Sequence, residues 1–202
     1  MITIIDYGAG NIGSIENMIK RIGGKSKITS SIDDIITAEK LLLPGVGSFD
    51  YGMDQLKKLN LIDVLNEKVL VDNIPILGIC LGMQLMTTAS EEGKSKGLNW
   101  FDAEVLKFKS SNKQFKIPHM GWNFIDIKKK SILFDTIEME RKYYFVHSYY
   151  IKSNTPNQIL TTTNYIENFV SSLEHNNIFG VQFHPEKSHK YGMEILKNFN
   201  AL

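Results

Sequence analysis

Ile74-Pro-Ile-Leu-Gly-Ile-Cys-Leu-Gly-Met-Gln-Leu85 holds the only cysteine of the chain and decides how the rest is read. The apolar run Ile76 to Ile79 has the pattern of a parallel strand buried on both faces, and the helical spacing of Leu81, Leu85 and Met86 begins directly after Cys80. Cys80 therefore falls on a strand-to-helix turn. Gly78 and Gly82 flank it two residues away on either side, which makes Gly-x-Cys-x-Gly, the cysteine counterpart of the elbow that presents a serine in Gly-x-Ser-x-Gly hydrolases. Small neighbours let the turn close and leave the sulfur exposed. A helix N-terminus favours thiolate over thiol, and the N–H of Leu81 points the same way, as one half of an oxyanion hole. A lone cysteine is also a common small core residue, and this stretch alone does not separate the two readings.

Partners separate them. In Gly180-Val-Gln-Phe-His-Pro-Glu-Lys-Ser188 an apolar strand ends on His184, and Pro185 stops the ladder there. Strand ends are where α/β sheets present chemistry. Glu186 lies two residues from His184, so with the bend fixed by Pro185 its carboxylate can fold back onto the far ring nitrogen and hold the tautomer that takes a proton from sulfur. Cys80, His184 and Glu186 form a complete triad.

Gly-Ile-Cys-Leu-Gly-Met-Gln together with His-Pro-Glu resembles the class I, triad-type glutamine amidotransferases. Ile5-Asp-Tyr-Gly-Ala-Gly-Asn11, Pro44-Gly-Val-Gly-Ser-Phe49 and Pro118-His-Met-Gly-Trp-Asn123 look like the glutaminase subunits of imidazole glycerol phosphate synthases within that family, and the likeness runs from Ile4 to Ser188. It implies a three-layer α/β fold, a mixed, mostly parallel central sheet flanked by helices with added antiparallel strands in the C-terminal half. It implies Cys80 as nucleophile, and Val46 and Leu81 N–H groups as the oxyanion hole. Gly45, Gly47, Gln84, Ser148 and Tyr149 would line the glutamine pocket. Asn11, His119, Met120, Trp122 and Asn123 would face a partner, a separate (β/α)8 synthase subunit that docks as a heterodimer and receives ammonia. No cofactor is implied.

The bulk numbers agree with one domain spanning 1–202. A hydrophobic content of 43% and a charged content of 22% are ordinary for a soluble globular protein. With a net charge of +1 no broad basic surface argues for nucleic acid, and Lys128-Lys-Lys130 reads as a solvated turn. No apolar stretch approaches the roughly 18 residues of a membrane span, and Met1 leads straight into a strand rather than a signal peptide. One cysteine cannot form an internal disulfide, so a reducing cytoplasm is the expected home.

Along the chain, Met1 to Asp6 reads as a strand and Ile12, Ile15, Ile19 and Ile22 mark a helix. Gly8-Ala-Gly-Asn-Ile-Gly13 between them matches the dinucleotide fingerprint, with Asp33 further on, yet the second strand, Lys25 to Thr29, ends in Ser-Ser and not in an acid. A lone glycine fingerprint is a weak signal. A third strand, Glu39 to Leu43, breaks at Pro44-Gly-Val-Gly47, whose glycines leave a peptide plane free to rotate. Asp50 to Leu59, Leu61 to Val71 and Leu81 to Ala89 read as helices. From Glu104 on come strands at Glu104 to Phe108, Asn123 to Ile127, Tyr143 to Ile151, Gln158 to Tyr165, Phe169 to His175 and Ile178 to Phe183, then a helix from Ser188 to Leu202. In Gly97 to Ala103, Trp100, Phe101 and Asp102 stand where the family usually shows a glycine and an aliphatic pair, which bears on partner contacts and not on catalysis.

His175 falls on a turn, His189 in the first turn of the last helix, His147 in a strand and His119 in an aromatic turn. None has metal-ligand spacing with cysteine or carboxylates, so no metal is expected. Three rivals remain at this level. A paralogous glutaminase would feed another synthase, for example one amidating a sugar. A γ-glutamyl or peptide hydrolase would cleave peptides. A noncatalytic module would not need the intact triad.

Overall fold

The computed structural model describes residues 1–112, 114–134 and 140–202. In chain order these form β1 (Ile2–Ile5), α1 (Ile12–Arg21), β2 (Ser26–Thr29), α2 (Ile32–Ile36), β3 (Leu41–Leu43), α3 (Phe49–Lys58) and α4 (Leu61–Asn66), which runs on into a π-helical turn, Glu67–Val71. Then come β4 (Ile76–Ile79), α5 (Leu81–Leu85), β5 (Ala89–Ser90), β6 (Ala103–Lys107), β7 (His119–Ile127), β8 (Arg141–His147) and β9 (Tyr149–Ser153). The chain closes with β10 (Ile159–Asn164), β11 (Asn168–His175), β12 (Ile178–Val181), a 3-10 turn at Pro185–Lys187 and α6 (His189–Ala201).

The main sheet has the order β2-β1-β3-β4-β12-β11-β10-β7-β8. Its first five strands are parallel, and from β11 onward the pairing is antiparallel. β9 branches from β11 to carry β6 and β5. The parallel core is apolar on both faces because helices cover both. Leu41, Leu43, Ile76 and Leu81 pack with α2, α3, α4 and α5 on one side. Leu42, Leu77, Ile79 and Cys80 pack with α1 and α6 on the other. The mixed sheet flanked by helices, with antiparallel strands added in the C-terminal half, is observed as expected, though along the main order only the first five strands are parallel. Among the described residues no helix is long and apolar enough to cross a membrane.

Four local expectations change. The helix after Cys80 ends at Leu85 instead of Ala89, because Thr87 Oγ1 donates to the Gln84 carbonyl and the N–H groups of Leu98, Trp100 and Phe101 take the carbonyls of Leu85 and Met86. Trp100 and Phe101 are buried there, and the Trp100 indole donates to Asn66 Oδ1 at 2.8 Å. At Trp100 and Phe101 the departure from the family pattern thus fills the core, while Asp102 is exposed and accepts from Asn154 Nδ2 at 3.0 Å. The strand expected over Tyr143 to Ile151 breaks at Ser148 into β8 and β9, which pair with different strands. His119 lies inside β7 and not on a turn, opposite His147 of β8.

Candidate active site

Three neighbouring parallel strands, β3, β4 and β12, end on one edge, in register at Leu43↔Gly78 and Ile79↔Val181. Residues far apart in sequence meet there: Pro44–Gly47 after β3, Cys80 after β4, and Gln182 to His184 after β12. Open α/β sheets bind ligands at such carboxyl ends.

Cys80 takes φ 53° and ψ −109°, a conformation uncommon for a residue with a side chain and typical of strained functional turns. Its N–H donates to the Val181 carbonyl at 2.8 Å, and its carbonyl accepts from Gln84 N–H at 3.1 Å. The flanking glycines are dictated by close approach. A Cβ on Gly82 would stand 1.9 Å from the Leu43 carbonyl oxygen, and one on Gly78 would stand 2.8 Å from the Met83 nitrogen. Only bare backbone lets the elbow nest against β3.

His184 is pinned through its backbone. Its N–H donates to the Tyr144 carbonyl at 2.9 Å, while the Ser188 hydroxyl donates to the His184 carbonyl at 2.6 Å and accepts from Tyr144 N–H at 2.9 Å. The ring Nδ1–H donates to Glu186 Oε1 at 2.8 Å, with both side chains buried. The carboxylate can only accept here, so Nδ1 keeps its hydrogen and Nε2 is the nitrogen that exchanges a proton with sulfur. Nε2 is buried without a hydrogen bond of normal geometry, yet Cys80 is the strongest upward influence on the imidazole. Burial alone would lower its pKa, but Cys80 and then Glu186 outweigh burial and lift it to about 10. Catalytic hydrogen bonds often tighten only in the substrate complex.

A cleft of about 440 Å3 opens beside these groups, walled by Val46, Gly47, Cys80, Leu81, Gln84, Ser148, Tyr149 and His184. Of the residues expected around glutamine only Gly45 stands back. It is wedged so that a Cβ would lie 2.7 Å from the Gly82 nitrogen, the Leu81 Cβ and the Tyr7 hydroxyl. Gln84 is mostly occupied, donating through Nε2 to the Tyr149 carbonyl at 3.2 Å and to Gln182 Oε1 at 2.9 Å.

Sequence reasoning missed four contributors. Glu92 and His147 wall the cleft. Burial raises the Glu92 carboxyl, offset in part by Phe49 N–H donating to Oε2 at 2.8 Å. Tyr7 is fully buried, donates to the Pro44 carbonyl at 2.5 Å, and has its phenol pKa raised by burial and then by Cys80. Gln182 is fully buried with Nε2 at 3.6 Å from the sulfur. Its place in Gly-Val-Gln-Phe-His, two residues before the triad histidine, was the available signal.

The residues expected at a partner surface lie away from the cleft lining. Met120 and Trp122 point outward from β7, 61% and 45% exposed. Trp122 stacks on His189 with ring centres 5.4 Å apart. Asn11 is exposed just before α1 and Asn123 is partly so. His119 is buried, which removes it from the surface contacts expected of it. No group of three or more histidine, cysteine or acidic side chains among the described residues could hold a metal ion.

Residues 3–201 match the family described as glutamine amidotransferase class-I. The chain belongs to that family. The chain is 55% identical over 199 residues to imidazole glycerol phosphate synthase subunit HisH 2 of Methanococcus maripaludis, covering 98% of both chains. It is 47% identical to the HisH 2 subunit of Pseudomonas aeruginosa, with both chains fully covered. Among solved structures, a putative GMP synthase subunit from Thermoplasma acidophilum superposes with a TM-score of 0.74 at 22% identity, over 99% of this chain and 92% of that one. PurLQS from Thermotoga maritima superposes with a TM-score of 0.73 at 15% identity, over 98% of this chain and 96% of that one. These two likenesses concern the fold alone.

Proposed function

We propose that this chain is the glutaminase subunit of an imidazole glycerol phosphate synthase. The observation that carries the reading is the His184 Nδ1–H bond to Glu186 at 2.8 Å beside the cleft that Cys80, itself buried, also lines. His184 Nε2 takes the thiol proton and Cys80 attacks the side-chain carboxamide carbon of glutamine. The N–H groups of Leu81 and Val46 hold the oxyanion as it forms. The tetrahedral intermediate collapses with a proton from His184 and releases ammonia, and water then cleaves the thioester to glutamate. Glu92 is the acidic wall of the cleft and takes the α-ammonium group, while Gln84, Gly47, Ser148 and Tyr149 position the rest of the substrate.

Ammonia freed at neutral pH becomes ammonium and loses its nucleophilicity, so it must be handed on. The relatives named above are synthase subunits, which fits a (β/α)8 synthase docked over the outward face of β7, with Met120, Trp122, Asn123 and Asn11 in contact and His119 buttressing them from inside. The products would be imidazole glycerol phosphate and an aminoimidazole carboxamide ribotide. One observation keeps a second acceptor open: both relatives carry the number 2 in their names, as expected if such a copy feeds a different synthase, for example one amidating a sugar.

The test is glutamate release from glutamine with the synthase subunit present, for the native chain and for Cys80→Ala. The variant is expected to fold and to lose all turnover. Undiminished turnover would overturn the reading, and cleavage of γ-glutamyl peptides in place of free glutamine would favour a hydrolase.

A further inference from the structure

The Tyr149 carbonyl receives two hydrogen bonds, from His147 Nδ1 at 2.7 Å and from Gln84 Nε2 at 3.2 Å. A carbonyl oxygen only accepts, so both polarities are forced, and each propagates outward. On one side His147 carries its proton on Nδ1, and burial holds its pKa down to about 3, so the ring is neutral and Nε2 is an acceptor. His119 Nδ1–H must then donate to it, at 3.0 Å. His119, lowered by burial to about 4, is neutral too, and its Nε2 accepts from Asn123 Nδ2 at 3.2 Å. On the other side Gln84 Nε2 spends its second hydrogen on Gln182 Oε1 at 2.9 Å, and this turns Gln182 Nε2 toward the Cys80 sulfur at 3.6 Å. A flipped Gln182 would oppose its NH2 to that of Gln84 and its oxygen to the sulfur. Gln182 is fully buried and Gln84 nearly so, so neither error would be repaired by solvent.

We infer that Gln182 is a further catalytic residue: its carboxamide donates a hydrogen bond to the Cys80 sulfur and holds it as the thiolate, with a polarity imposed from the Tyr149 carbonyl through Gln84. The inference rests on Cys80 being the nucleophile of the proposed reaction. The other titratable groups facing the sulfur are Tyr7 from the loop after β1 and His184 after β12, with Glu186 behind it. Glu92 and His147 lie along the same cleft. All of these residues stay in place when Gln182 alone is replaced.

The test reads the thiol directly, without glutamine or a partner. Iodoacetamide alkylates a thiolate, forming a sulfur–carbon bond and expelling iodide, and intact mass reports Cys80 alone because the chain has one cysteine. A hydrogen bond to a charged group is strong enough to move an ionisation by about one pH unit. Gln182→Met should therefore shift the midpoint of alkylation up by about one unit, and Gln182→Glu, which sets a carboxylate against the sulfur, by more. Circular dichroism checks that each variant folds. A second readout needs no change at position 182. In the native protein the 15N side-chain amide signal of Gln182 should titrate with the thiol, and in Cys80→Ala it should be flat over the same range. Identical alkylation midpoints in all three proteins, or a Gln182 amide signal indifferent to Cys80→Ala, would overturn the proposal. If the midpoint moves but glutamine is not turned over with any synthase, the glutaminase reading fails and this one stands.

Discussion

Among single residues, the proposed reaction separates groups that react from groups that orient. His184 lines the cleft, whereas the Glu186 side chain is buried and bonded to its Nδ1. An orienting carboxylate does not take up the proton. Glu186→Gln should therefore lower kcat by roughly 10³–10⁴ and leave measurable turnover, while His184→Ala should lose nearer 10⁶, by analogy with other triads. Steady-state glutaminase assays on the two variants decide the matter. A His184→Ala variant close to normal would dismantle the triad, and equal losses would make Glu186 more than an orienting group.

At the scale of elements, the elbow and the β7–β8 pair each have a measurable signature. Gly82 sits at the start of α5 against the end of β3, where a Cβ would lie 1.9 Å from a backbone oxygen that has no room to move. Gly82→Ala should cost about 3 kcal/mol, the upper end of overpacking, or a melting temperature roughly 5–10 °C lower for a chain of this length. A melt within a degree of the native protein would show that the elbow relaxes freely.

The buried imidazoles of β7 and β8 predict acid sensitivity. His119 and His147 have folded pKa values pushed down to about 4 and about 3, chiefly by burial, against about 6.5 in the unfolded chain. The unfolded chain thus binds protons below pH 6.5 that the folded one refuses, and stability is lost as pH falls from 6.5 toward 4. His184, raised to about 10 by Cys80 and Glu186 against the effect of burial, runs the other way. Its contribution is complete below pH 6.5 and lost as pH rises through about 10. Melting temperatures between pH 7 and pH 4.5 should fall, and fall less steeply in His119→Asn. Equal slopes would remove the two histidines as the cause.

At the level of the whole molecule, the loop after β3 predicts how a docked synthase would act on the proposed glutaminase. Tyr7 clamps the Pro44 carbonyl, and a Cβ on Gly10 would meet Pro44 at 2.9 Å. Beyond that clamp Val46 is 44% exposed and Gly47 takes φ +119°, so a turn of the Gly45–Val46 peptide that brings its N–H toward Cys80 is the change a docked partner is expected to favour. Losing one oxyanion donor costs about 10²–10³ in rate. The chain alone should therefore be a poor glutaminase, faster with the synthase docked and faster again with an acceptor analogue bound, because a ligand shifts an equilibrium only by its differential contacts. Glutamate release measured under the three conditions tests this. Equal rates would remove the gate, and full activity alone would point to a free-standing hydrolase.

Parts of the fold and site whose signal is local were legible from the residues alone. An apolar run into Gly-x-Cys-x-Gly requires a strand, a sharp turn and close packing, and His-Pro-Glu requires a strand end with a carboxylate two residues away. The strands of the core and the final helix were legible for the same reason, since the period of burial is written in consecutive residues. Tertiary structure alone decided what depends on strand order. That β12 lies beside β4, parallel and in register, is what sets Gln182 against the sulfur and His184 at the cleft. That β8 pairs with β7 is what buries His119 against His147 instead of leaving it on a turn. The short α5 was illegible too, because the N–H groups that end it belong to residues 98–101, and hydrogen bonds between segments leave no periodic trace in either one.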